Sequence, residues 1–523
     1  MQNFLYTSDV FKGSRYGEGH PLDMDRVWPS VELVQMMGWI EEKQIVKHGP
    51  ATIEELIKFH DIDYVLALKE AEEKQYLPHE IKIKYNIGIG NNPIFSEVFS
   101  RPATAAKASI SAIEKIAANK AKRILNISGG THHGRKSQAY GFCFLNDCVL
   151  SILKAIELGF QNILYVDIDA HHCDGVQDVF KGNENVKIVS IHEKKRWPFT
   201  GLIEDCKIKN ILNFPVSEHF TDEDMNFLIN DFIIPFANKK KPELLIIQAG
   251  ADMLHGDPQS RISLSNNAYW KAIYDLLSIC DKSLILGGGG YNPYLTAKAW
   301  AGNWVLLNNK IELLDMDMNK ECHEFLKSLR WSNSRVKNGI PSEWISSWRD
   351  ENKNNDISNE IISLVREIES IKKYTDAGVE KVILGSAAIK NKNFLKEACK
   401  KFPNKIALGL DAKDGFLSVS GWKENSNQLT LDFLNEVNDY GASRLIYTDI
   451  NRDGMKQSPN FEETSKVAGV ACCPVIISGG VSSIDDIKKA KELNNQNIEG
   501  IIVGKAIYDG DINLEELARE IDA

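Results

Sequence analysis

The densest cluster of metal-ligating and acid/base side chains lies in YVDIDAHHCDG, Tyr165 to Gly175, at the end of an apolar run. Side chains alternate along a strand, so Asp167, Asp169 and His171 are expected to project to one face. Two carboxylates and an imidazole with no basic residue among them are costly to bury unless a cation neutralises them. A second apolar run ends in QAGADMLHGD and offers Asp252 as a further anionic ligand. Asp169, His171 and Asp252 would make a three-ligand nitrogen and oxygen site with a position left for water, the arrangement that catalytic zinc uses. A solvated acidic turn is the plainer reading, and the apolar flanks of both clusters speak against it.

Two adjacent histidines, His132 and His133 in SGGTHHGRKSQAYGFCFLND, follow the run ILNIS. Such a pair is weak evidence alone, but beside a metal the two become candidate general acid/base groups. A general-base imidazole needs its second nitrogen held by a carboxylate, and Asp167 and Asp174 are the spare ones. In LILGGGGYN, Gly287 to Gly290 let the backbone come close to the site, and Tyr291 offers a phenol that can donate to a developing oxyanion.

These residues need elements to hold them. From Ile124 onward the apolar runs ILNIS, NILYVDID, VKIVSIH, ELLIIQAGAD and SLILGGGG alternate with helix-like stretches, which predicts a parallel sheet covered by helices on both faces. Each run ends in polar or Gly-rich residues, so the chemistry gathers where strands give way to loops. The stretch Arg349 to Ser358 is poor in apolar residues and reads as a linker. Beyond it a new βα series begins: KVILGSAAI, KIALGLDA, RLIYTDI, PVIISGG and GIIVGKAI.

A chain of 523 residues with 43% hydrophobic and 26% charged residues predicts two globular units rather than disorder. The net charge of -10 argues against direct nucleic-acid binding, which needs clustered Lys and Arg. Nine cysteines at mostly long spacings, with Cys472 and Cys473 adjacent and no CxxC pair, read as reduced thiols, and no long apolar segment marks a leader or membrane span, so a cytoplasmic protein is expected.

At this point the segments GHPLDMDR, GGTHHGRKSQAYGFCFLND, YVDIDAHHCDG, QAGADMLHGDP and LGGGGY, in order between His20 and Trp300, resemble the histone deacetylase superfamily, nearest its acetoin-utilisation and class I branch. The resemblance implies an arginase/deacetylase-like α/β fold over residues 1–348 that hydrolyses an acetyl-amide, whether acetyl-lysine, an acetylpolyamine or another small acetyl-amine. It implies Asp169, His171 and Asp252 as zinc ligands, with iron(II) chemically reasonable for the same donors. It also implies His132 and His133 as the paired histidines backed by Asp167 and Asp174, and Tyr291 as the phenol that polarises the carbonyl. Gly141, Phe142, Trp197 and Gly289 would line the acyl tunnel, and a structural potassium ion would sit near Asp167, Asp169, His171, Ser190 and Ile191. In the mechanism implied, His133 accepts a proton from water and a histidinium protonates the departing amine.

Three departures stand out. Asn91 occupies a rim position that usually carries a substrate-binding aspartate, which weakens the case for a peptide; Trp197 replaces a more usual phenylalanine, and Cys173 a glycine. The related arginase type needs two manganese ions, and the acidic residues a second metal would require are absent at Cys173 and Leu254. A silent acyl binder is disfavoured by the complete set of ligands, histidines and tyrosine.

From about Arg366 the segments DAGVEKVILGSAAI, IALGLDAKDGFLSVSGW, IYTDINRDGM, VIISGGVSS and GIIVGKAIYDG are similar to ProFAR isomerase of histidine biosynthesis. The resemblance implies a partial (β/α)8 barrel over 366–523, about its fourth to eighth strands, after a linker and tail at 349–365. Asp411 matches the second catalytic aspartate of that family, while the first has no counterpart. Gly479, Gly480, Gly504 and Lys505 match elements that hold a phosphate-bearing ligand. The missing strands would leave two sheet edges and apolar surface open, so isomerase turnover by this part alone is not expected. Leu364 to Ser370 reads as the middle of an isomerase sequence joined to a deacetylase tail, as in a gene fusion.

Overall fold

A computed structural model describes residues 2–351, 356–376, 381–419, 424–493 and 497–522. The chain divides into two compact units, Met1–Thr375 and Asp376–Ala523.

The first unit is built on eight parallel strands: β1 (Phe4–Thr7), β2 (Ile45–Lys47), β3 (Arg123–Asn126), β4 (Ile163–Asp167), β5 (Val186–Glu193), β6 (Ile211–Val216), β7 (Leu244–Gln248) and β8 (Ser283–Leu286). Their order in the sheet is β2-β1-β3-β8-β7-β4-β5-β6. The runs ILYVD of β4 and LLIIQ of β7 are buried at every position, as the unalternating apolar sequence requires of strands covered on both faces. Ile163 and Tyr165 of β4 pack with Ile113 and Ile116 of the helix Ser100–Ala117 and with Val149 and Ile152 of the helix Asp147–Glu157. Each such aliphatic side chain contributes roughly 1.5–3 kcal/mol by leaving water.

The chain leaves β4 toward β5 and leaves the adjacent β7 toward β8, on the opposite side. That reversal opens a crevice at the carboxyl ends of β4 and β7, the place where open α/β sheets bind ligands. The helix Pro293–Leu307 follows β8 and is buried along its whole length. Its N-cap is Asn292, whose Oδ1 accepts from the backbone N–H of Tyr294 and Leu295, and this cap fixes the backbone next to Tyr291.

The helix Asn359–Asp376 lies in the first unit but for its last residue, where the sequence reading has a linker to 365 and a barrel from 366. Burial of Ile361, Val365 and Ile368 holds it there, together with a hydrogen bond from Ser358 N to Asp224 Oδ1 at 2.7 Å. Residues 352–355 of the expected linker lie outside the described residues.

The second unit contains β9 (Val382–Leu384), β10 (Ile406–Lys413), β11 (Phe416–Val419), β12 (Glu424–Leu429), β13 (Arg444–Asp449), β14 (Val475–Ser478) and β15 (Ile498–Ile501). The five expected βα strands pair in parallel in the order β9-β10-β13-β14-β15. To these the structure adds an antiparallel ribbon, with β11 pairing β10 and β12 pairing β11. Asp414 and Gly415, both at positive φ, make the tight turn from β10 into β11, a conformation that suits an Asp-Gly hairpin. Among the described residues β9 pairs only with β10 and β15 only with β14. Residues 377–380 and 420–422 of the family-like segments lie outside the described residues. No helix among those described is long and apolar enough to cross a membrane.

Candidate active site and metal centre

All four central strands, β3, β8, β7 and β4, deliver side chains to one crevice. Strand β4 stops at Asp167, so Asp169 and His171 converge through turns rather than through the strand alternation expected from sequence. Asp167 Oδ1 accepts the backbone N–H of Asp169 at 3.2 Å, and Asp169 Oδ1 accepts that of His171 at 3.0 Å. Such side-chain to backbone bonds curl the chain out of its ladder.

Asp169, His171 and Asp252 each offer a ligand atom, and these atoms lie within 4.8 Å of one another. His171 Nδ1 stands 3.1 Å from Asp169 Oδ1 and 2.9 Å from Asp252 Oδ2. The remaining carboxylate oxygens are anchored: Asp169 Oδ2 accepts from Gly289 N (2.6 Å) and Gln248 Nε2 (2.9 Å), and Asp252 Oδ1 accepts from Ala170 N (2.8 Å). Burial and the neighbouring Asp169 push the Asp252 carboxyl up to about 6. The two carboxylates outweigh burial at His171 and raise its ring to about 10. Two buried carboxylates, each held by other donors, and an imidazole between them fit a small divalent cation.

Behind this cluster stand the two histidines. His132 Nδ1 lies 2.8 Å from Asp167 Oδ2, which also accepts from the Tyr165 hydroxyl at 2.6 Å. His133 Nδ1 lies 2.6 Å from Asp174 Oδ1, and the two Nε2 atoms face each other at 3.0 Å. Burial opposes a charge on His132, but Asp167 and Asp169 outweigh it and raise the ring to about 9. Burial and then the charge of His132 drive His133 down to about 3. The surroundings thus favour charge on His132 and oppose it on His133.

An aromatic wall closes over the histidines. Trp197 packs on His133 with ring centroids 4.7 Å apart, and Phe142 on Tyr291 at 5.9 Å. Gly141 has φ +55°, and a Cβ there would sit 2.3 Å from the Trp197 ring, so the wall requires glycine. Gly289 lies against the ligands, where a Cβ would fall 2.2 Å from Asp252 Oδ2. The backbone N–H of Tyr291 donates to Asp257 Oδ2 at 2.6 Å.

Asn91 lies apart from the cluster, on an exposed turn; its carbonyl oxygen is 3.1 Å from His20 Nε2, and His20 in turn packs on Phe142 at 4.7 Å. Asp167 and Ser190 of the expected potassium position are register partners in β4 and β5. In the second unit Asp411 lies in β10 opposite Thr448, and Gly479 and Gly480 follow β14 at positive φ. Gly504 caps the turn Lys505–Tyr508, and Lys505 Nζ donates to Gly454 O at 3.1 Å.

Sequence reasoning passed over Gln248, Tyr165, Asp257 and Arg135. Gln248 ends β7 inside the quoted QAGAD, so its signal was a polar residue at the end of an apolar run, while Asp257 stands further on in HGDP with no such signal. Arg135 binds Asp174 and Asp178, which no local pattern announces.

Comparison with known proteins yields two families. A model described as histone deacetylase domain matches residues 20–307, and one described as histidine biosynthesis protein matches 344–513. Two solved structures, an HDAC homolog from Aquifex aeolicus and an HDAC homolog complexed with SAHA, each share 31% identity at TM-score 0.66 and cover 71% of this chain and 100% of their own. A phosphoribosyl-imidazole-4-carboxamide isomerase of Pelagibacter ubique (strain HTCC1062) is 82% identical over 168 residues, which are 32% of this chain and 70% of the relative. Its counterpart in Burkholderia thailandensis is 44% identical over 158 residues, 30% of this chain and 63% of that relative.

Proposed function

Given that the chain belongs to the histone deacetylase family, and over its last third to the histidine-biosynthesis isomerase family, we propose that its first unit is a zinc-dependent deacetylase of acetyl-lysine or a small acetylated amine. Deacetylase hydrolysis is what the family gives; the metal, the residue roles and the substrate are this reading's own. The observation that carries it is the meeting of Asp169, His171 and Asp252 within 4.8 Å beside two carboxylate-backed histidines.

Asp169, His171 and Asp252 would hold zinc, with iron(II) as the other suitable ion, and when bound the ion supplies Lewis-acid polarisation and acidifies water. The residues supply the rest. His133, held through Nδ1 by Asp174, would accept a proton of the attacking water at Nε2 once that nitrogen turns from His132 Nε2, which it faces at 3.0 Å. Burial keeps the Tyr291 phenol protonated well beyond its usual range, so its O–H can donate to the oxygen of the acetyl carbonyl as charge builds there. His132, charged and aligned by Asp167, returns a proton to the departing amine. The aromatic wall of Phe142 and Trp197 excludes water from the acyl chain. A potassium ion near Asp167 and Ser190 would serve structure, not chemistry.

The test is acetate release from an acetyl-lysine peptide and from acetylputrescine by the full chain, against Asp252→Ala and Tyr291→Phe with bound metal measured in each. Activity lost in both, with metal lost only in the first, is the expected result. Metal-loaded wild type that hydrolyses neither compound would sink the reading.

For the second unit we infer a phosphate-bearing ligand at the loops after β14 and β15, without isomerase turnover by the chain alone. The support is the 82% identity to an isomerase of which the chain spans 70%.

A further inference from the structure

Asp174 is 2% exposed and uses both oxygens: Oδ1 faces His133 Nδ1, and Oδ2 accepts from the Arg135 guanidinium. The other arm of that guanidinium binds Asp178, one helical turn further along the helix Asp174–Phe180. The same guanidinium lies over the Tyr140 ring, 5.0 Å from its centroid. Tyr140 packs on Trp197 at 4.9 Å, and Trp197 packs on His133 at 4.7 Å. Arg135, Asp174, His133, Trp197 and Tyr140 thus form a closed circuit of contacts around the proton acceptor.

An exposed ion pair ordinarily contributes little. Here one partner is buried and already committed to an imidazole, so the pair fixes where that carboxylate points. Lysine could meet one carboxylate as a point charge, whereas the planar fork spans both and stacks on the ring as well.

Resting on the deacetylase reading, we propose that Arg135 is a positioning residue that aligns the Asp174–His133 pair and the Tyr140–Trp197 wall with one side chain. Its contacts run to Asp174, Asp178 and Tyr140 rather than to Asp169, His171 or Asp252, and it acts through Asp174. Because its side chain is 28% exposed, a small cation in solution can reach the gap its removal leaves.

The experiment compares the full metal-loaded chain with Arg135→Gln and Arg135→Lys. Arg135→Gln is expected to lower kcat about tenfold to a hundredfold, the usual loss for a group that orients a site residue, with a smaller change in KM and unchanged metal content. Added guanidinium chloride, at concentrations that leave wild type unaffected, should recover part of that loss, and Arg135→Lys should fall between the two. Wild-type kcat in Arg135→Gln overturns the proposal, as does a loss that tracks metal or melting temperature and that guanidinium leaves untouched. A second measurement is independent of turnover: the ring N–H proton resonance of His133, assigned by its disappearance in His133→Gln, should move in Arg135→Gln. If it stays in place the proposal fails. Absence of acetate release in wild type sinks the deacetylase reading instead, while the resonance still decides the positioning.

Discussion

His132 and His133 meet Nε2 to Nε2 at 3.0 Å, each with its far nitrogen on a different carboxylate, Asp167 for one and Asp174 for the other. Environment drives the rings apart, to about 9 and about 3, so charge on one opposes charge on the other. Groups that act as a unit lose their effects non-additively. Each of His132→Ala and His133→Ala should lower kcat by about 10²–10⁴, the usual worth of a positioned acid or base. The double variant should lose scarcely more than the worse single one. Kinetics of all four proteins decide this, and losses that simply multiply would mean two independent groups.

Gly289 tests the metal centre from the backbone side. Its N–H donates to Asp169 Oδ2, and a Cβ there would stand 2.2 Å from Asp252 Oδ2 and 2.8 Å from Asp169 Oδ2. Gly289→Ala must push a ligand out of place. Bound metal and acetate release should fall together, with the circular dichroism of the fold retained. Full metal occupancy in this variant would show that the two carboxylates are not the ligands.

Strands β4 and β7 were legible because they are buried at every position, so their sequences stay apolar until the polar residue that ends each of them. Asp169, His171 and Asp252 were legible as chemistry without a cation to balance them. Their meeting was legible too, but not its means: β4 ends at Asp167, and local turns rather than strand alternation bring Asp169 and His171 together. Arg135 and Asp257 escaped notice because partners that matter to the site, Asp174 for one and the backbone of Tyr291 for the other, are chosen by tertiary packing. The β10–β11 turn carried an Asp-Gly signal at residues 414 and 415 that a search for βα units overlooks.

Acid should weaken the first unit through His60. Its Nε2 accepts the backbone N–H of Asn146 at 3.0 Å while Nδ1 faces Lys136 O at 3.2 Å, and burial lowers its pKa to about 4. The unfolded chain, with an ordinary histidine near 6.5, binds the proton first as pH falls. Between about 6.5 and 4 the unfolded state therefore holds more protons, and stability drops with falling pH by on the order of 3 kcal/mol over the window. Tryptophan fluorescence follows this unit, and urea midpoints from pH 7 to pH 4 give the slope. His60→Gln, which can still accept and donate, should flatten it; an unchanged slope would assign the acid sensitivity elsewhere.

The second unit should not turn over a phosphoribosyl-imidazole carboxamide by itself. Isomerisation by proton transfer needs an acid and a base, and the family resemblance implies a counterpart for only one of the two catalytic aspartates, Asp411, which lies in β10. The loop after Gly480 is also occupied from within. Asp486 Oδ2 accepts from Ser482 N and its hydroxyl, both at 2.8 Å, and from Ser483 N at 3.3 Å, so an incoming phosphate must displace a carboxylate from those donors. Asp486→Ala should accordingly bind inorganic phosphate more tightly than wild type in titration calorimetry. Isomerase assays of wild type and Asp411→Asn should both read zero. Turnover in wild type that Asp411→Asn abolishes would mean that the chain supplies the missing catalytic group from a residue the family resemblance does not identify.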